Sequence, residues 1–84
     1  MERLTITVGI SAGREERPVA ELVQLANRFT SLIHLEVEDK IINAKSIMGM
    51  MTIGLVSGLV LDITAEGEDE REAVVAIAEY ISGK

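Results

Sequence analysis

Eighty-four residues without a cysteine make one domain the starting expectation, near the smallest size that folds on a hydrophobic core alone; they exclude disulfides and thiolate metal sites and suit a cytoplasmic chain. Apolar residues make up 48% but aromatics only 2%, so the core must be aliphatic, and Phe29 and Tyr80 are the only rings that could stack on bases. A net charge of −6, from 14 acidic and 8 basic side chains, argues against nucleic acid and anionic membranes as partners.

Residues 4–10, LTITVGI, alternate strictly, placing Leu4, Ile6, Val8 and Ile10 on one side of a half-buried strand. SAGREER follows as a loop. Pro18 fits the first turn of a helix, where its missing N–H is not needed. Val19, Leu22, Val23, Ala26 and Phe29 continue at helical spacing, and the helix should end between Asn27 and Thr30. LIHLEV, residues 32–37, alternates again with Ile33, Leu35 and Val37 on one face. Glu38 and Asp39 turn the chain into a return strand from Lys40 to Asn43.

Ser46 sits where a helix N-cap belongs and opens a short helix, SIMGMMTI. Gly54 and Gly58 punctuate a loop, and residues 59–65 form a strand with Leu59, Leu61, Ile63 and Ala65 facing one way. The run GEDE places acids at the start of a last helix that buries Ala73, Val74, Ile77, Ala78 and Ile81. No charged-then-apolar leader opens the chain, and the apolar stretch from Ile53 to Ile63 is too short and interrupted to span a bilayer. The order β-α-β-β-α-β-α predicts an α+β fold of two layers, a mostly antiparallel sheet with helices on one face.

Two segments carry candidate chemistry. The start of the first helix offers free N–H groups to an anion, and Arg17 adds a planar fork of donors. The nearest side chain is Glu15, already negative; the simpler reading of Glu15 and Glu16 is as ordinary first-turn acids. The second segment is NAKSIMGMM, residues 43–51. Its helix is apolar nearly all round. If Met50 and Ile53 face the core, Ile47, Met48 and Met51 are left as an exposed apolar patch beside the Ser46 hydroxyl, a pattern that marks partner surfaces. Methionine as plain core filler is the alternative. His34, the only histidine, falls with Glu36 on the polar side of its strand, without catalytic partners nearby in the pattern.

Gly13, Arg17 and Pro18, then NAKSIMGMM, then GEDEREA at 67–73, together resemble HPr, the histidine-containing phosphocarrier of the bacterial sugar phosphotransferase system, over essentially the whole chain. The resemblance implies one HPr-like domain over residues 1–84, an open-faced β-sandwich with a four-stranded antiparallel sheet and three helices on one face. It implies no cofactor and no metal. In that family a histidine accepts phosphoryl from enzyme I and passes it to enzyme II proteins; here Glu15 holds that position, between Arg14 and Glu16, which also depart from the family pattern. Arg17 and Pro18 are retained.

The resemblance further implies phosphorylation of Ser46 by HPr kinase/phosphorylase and docking on a catabolite control repressor. The docking surface would join Arg17 and Ala20 to Ile47, Met48 and Met51, with Lys45 assisting and Glu21 a departure. The chain looks closest to the Crh (catabolite repression HPr) branch, which keeps the serine and lacks the active histidine. Two other readings stay open: a phosphoryl carrier using Glu15 or His34, and an interaction module that uses Glu15 as a fixed negative charge. A monomer is implied, though the edge strand could be exchanged between copies.

Overall fold

A computed structural model describes residues 1–9, 16–52, 54 and 57–83, and of residues 16–18 the backbone alone. The elements are β1 (Glu2–Thr7), α1 (Glu16–Ala26), β2 (Leu32–Val37), β3 (Lys40–Asn43), α2 (Ile47–Met50), β4 (Val60–Glu66) and α3 (Glu70–Ser82). The strands form one antiparallel sheet in the order β1-β4-β2-β3, so the last strand is inserted between the first two. β4 therefore closes the sheet, matching Thr7 with Val60 on one side and Leu35 with Ile63 on the other.

Alternation decides which face is buried. Ile33, Leu35 and Val37 of β2 and Leu61, Ile63 and Ala65 of β4 are buried on the inner face. They meet Val19, Leu22 and Ala26 of α1, Met50 of α2, and Ala73, Val74, Ile77 and Ile81 of α3 in one aliphatic core. The helices thus cover one face and leave the other open. On the open face Arg3 donates to Glu36 at 3.1 Å and to Asp62 at 2.8 Å, while the Thr5 hydroxyl donates to Asp62 at 2.6 Å. These contacts lace β1 to β4 and β2. The Thr5 bond, then the Arg3 guanidinium, hold the Asp62 carboxyl below its ordinary range.

Several element limits differ from the sequence-based expectation, and α1 already ends at Ala26. β1 runs from Glu2 to Thr7 rather than over 4–10, because pairing with β4 sets its limits. Leu4 stays 38% exposed on this edge strand, and Ile10 lies outside the described residues. β4 is shifted one residue, to Val60–Glu66, and Leu59 and Ala78 are only partly buried.

Asp69 stands at the N-cap of α3 without capping it. Its carboxylate turns instead to the segment after α1, accepting the N–H groups of Thr30 and Ser31, both at 2.9 Å, and the Ser31 hydroxyl. The Ser31 hydroxyl bond first, then the backbone donors, hold the Asp69 carboxyl down at about 2. A carboxyl depressed in the folded state adds stability above its ordinary value of 3.8, and that stability is lost as pH falls through the folded value. Asp69→Asn should therefore unfold at a lower temperature than the parent at neutral pH, and the gap should close between about pH 4 and pH 2. Thermal melts across that window check it; a gap that is constant with pH would contradict the carboxylate's role.

Candidate functional site

Each letter of NAKS has a separate structural task. Asn43 ends β3, and its side-chain oxygen accepts the Lys45 N–H at 2.9 Å while its carbonyl accepts the Ser46 N–H at 3.1 Å, which turns the chain. Ala44 is fully buried, its N–H bonded to the Ile33 carbonyl at 2.9 Å. Lys45 reaches back and donates its ammonium to the Phe29 carbonyl at 2.7 Å, just beyond the end of α1. Ser46 takes an extended conformation (φ −106°, ψ 115°) and caps α2, its hydroxyl accepting the Gly49 N–H at 3.2 Å.

Gly49 fits this turn closely. A Cβ there would sit 3.2 Å from the Ile42 side chain and 3.5 Å from Ser46 Oγ. The Thr52 hydroxyl closes the other end of the turn on the Gly49 carbonyl at 2.6 Å. Ser46 itself is half-buried, and its hydroxyl proton has no acceptor among the described residues. The N–H groups of Ile47 and Met48 likewise have no intramolecular partner among them, as the opening turn of a helix requires.

Helical spacing splits the side chains of α2. Met50 is fully buried. Ile47 is 43% exposed, Met48 80% and Met51 47%. The patch expected from the sequence is therefore present, beside Ser46 and on the helix layer next to α1. Ile53, expected to join Met50 in the core, lies outside the described residues. On α1, Ala20 is half-buried, and the Glu21 carboxylate accepts the Tyr80 hydroxyl at 3.2 Å, drawing its charge toward α3. Burial first, and the Glu21 charge second, push the Tyr80 hydroxyl up.

The first candidate segment is described only in outline. Gly13, Arg14 and Glu15 lie outside the described residues, and Arg17 is described by backbone alone, one residue into α1. The chain enters this segment from Val8 and Gly9, anchored through Val8 N–H to the Leu59 carbonyl at 2.7 Å and Gly9 N–H to the Ile81 carbonyl at 2.9 Å. His34 lies on the open face, opposite Thr64 and Asn43, with the sheet between it and the helices. The sequence reading missed the Lys45–Phe29 and Asp69–Ser31 contacts, which join residues 16 and 38 apart. It also missed Asn43 as a turn former, for which an Asn two residues ahead of the next polar N–H was the available signal.

The model for the "PTS HPr component phosphorylation site" matches residues 3–83. The chain belongs to the HPr family. It is 43% identical over 81 residues to the HPr-like protein Crh of Bacillus subtilis, covering 96% of this chain and 95% of that protein. Among solved structures it resembles the phosphocarrier protein HPr of Bacillus anthracis (TM-score 0.90, 41% identity, 95% of each chain covered). It also resembles the crystal structure of Bacillus subtilis Crh, described as an intertwined dimer with a swapped domain (TM-score 0.80, 42% identity, 100% of this chain and 97% of that one). The four-stranded antiparallel sheet with three helices is thus the HPr fold, and the chain is a Crh-like regulatory or phosphocarrier protein of that family. Among the described residues no helix is long and apolar enough to cross a membrane.

Proposed function

We propose that this chain, a single HPr-like domain over residues 1–84, is a cytoplasmic regulator of carbon catabolite control, switched by phosphorylation of Ser46. The observation that supports it most is a half-buried serine hydroxyl with an uncommitted proton, set beside three exposed apolar side chains that the core does not need. In the reaction Ser46 Oγ attacks the γ-phosphoryl of ATP, the new O–P bond forms as the bond to ADP breaks, and the hydroxyl proton leaves to a base of the kinase. The product adds about −1.5 to −2 charge beside the N–H groups of Ile47 and Met48, so the backbone need not rearrange. The phosphoryl group then pairs with basic residues of the repressor while Ile47, Met48 and Met51 supply apolar contact, with Ala20 and Arg17 of α1 at the margin. Lys45 holds α1 to α2 and contributes positive charge beside the phosphoserine.

Glu15 in place of the phosphoryl-accepting histidine supports loss of the carrier reaction with enzyme I and enzyme II proteins. Incubation with HPr kinase/phosphorylase and ATP should add one phosphoryl group, mapped to Ser46 by mass spectrometry, and none to Ser46→Ala. The phosphorylated chain should bind the catabolite control repressor and the unmodified chain should bind it far more weakly. An unmodified Ser46, under conditions that phosphorylate an ordinary HPr, would refute the proposal.

A further inference from the structure

We propose that Met48 and Met51 form an oxidation-sensitive switch on the α2 docking surface, one that acts on the chain already phosphorylated at Ser46. The inference rests on the docking reading above. The chain has four methionines, and the fold sorts them sharply. Met48 is 80% exposed and Met51 47%, while Met50, between them, is fully enclosed. Met1 is also exposed, at 72%, but immediately precedes β1, on the sheet edge opposite β3 and the α2 that follows it.

The oxidant is a peroxide. The thioether sulfur attacks one peroxide oxygen, an S–O bond forms as the O–O bond breaks, and for hydrogen peroxide the other oxygen leaves as water. Sulfur is oxidised by two electrons and the peroxide reduced by two. The sulfoxide is polar and a strong acceptor, where the thioether was apolar and adaptable. Two such groups in a patch whose third member is Ile47 oppose apolar contact with a partner. The fold tolerates the change, because neither exposed sulfur contributes to the core. Methionine sulfoxide reductases reverse it, which makes the pair a switch and distinguishes it from damage.

The test uses the full chain, phosphorylated at Ser46 first and then treated with hydrogen peroxide. Peptide mapping should find sulfoxide at Met48 and Met51, and at Met1, with Met50 spared and the circular dichroism unchanged. Affinity for the catabolite control repressor, read by fluorescence anisotropy, should fall about tenfold or more, and reductase treatment should restore it. In the double variant Met48→Leu/Met51→Leu the ratio of affinities before and after peroxide should be near one, whatever its starting affinity. Full repressor affinity after complete oxidation of both residues overturns this inference alone. So does an equal loss in the leucine variant, or a loss that tracks Met50 oxidation and unfolding. Absence of binding before oxidation overturns it together with the docking reading on which it rests.

Discussion

Met50→Ala is expected to destabilise the folded chain by about 2–5 kcal/mol, the cost of emptying a fully packed core position. Met50 is the buried residue of α2 and is fully enclosed. A helix of four residues has little stability of its own, so this side chain is what seats it on the sheet and against α1. The alanine variant should therefore lose more than global stability. Its kinase substrate quality should fall at temperatures where the rest of the fold survives, because Ser46 is held in place by the turn that Met50 anchors. Met50→Leu conserves volume and should cost less than about 1.5 kcal/mol. Met48→Ala removes an exposed side chain and should stay within about 0.5 kcal/mol of the parent. Urea denaturation of the three variants, with kinase assays in parallel, separates the anchor from the patch. Equal costs for Met50→Ala and Met48→Ala would show that α2 is not held from beneath.

Gly67→Ala is the second large effect, at about 2–4 kcal/mol from overpacking together with the strain of a positive φ. Gly67 has φ +152°, and a Cβ there would lie 2.6 Å from Ser31 Oγ and 2.7 Å from Ser31 Cα. A main-chain atom cannot swing aside, so the Ser31 segment must move. Moving it breaks the bonds that Asp69 makes to Thr30 and Ser31 and separates the start of α3 from the end of α1. Gly58 is the natural control. It has φ +97°, and a Cβ there would meet nothing within 4 Å, so Gly58→Ala carries only the conformational cost, about 1–2 kcal/mol. Guanidinium melts of both variants read the difference. If Gly58→Ala costs as much as Gly67→Ala, crowding against Ser31 contributes nothing.

These cases show which features were legible in the residue order. Periodicity located Ile33, Leu35 and Val37, the buried stripe of α3 and the outward trio on α2, because burial on a regular element repeats with that element's own geometry. The Ser46 cap was legible because a cap is local, its donor only three residues away. The task of Asp69 was hidden for the opposite reason. Its position fits a helix cap, but donors from the segment after α1 outcompete the helix for its carboxylate. The Arg3 cluster was hidden in the same way, since strand order β1-β4-β2 brings together residues 33 and 59 apart. Glu38 adopts φ 57° in the hairpin turn without the glycine or asparagine that usually signals it.

The turn from Asn43 to Ser46 has an evolutionary corollary. Selection for folding alone would retain Asn43 for its loop, Ala44 for its fit, Lys45 for its strap to Phe29 and a short capping hydroxyl at Ser46, with or without phosphorylation. Met48 and Met51 enjoy no such shelter, because both are exposed and stand outside the core. Under the proposed docking, a lineage that lost the partner would drift first at those two methionines, while the turn beneath them stayed put.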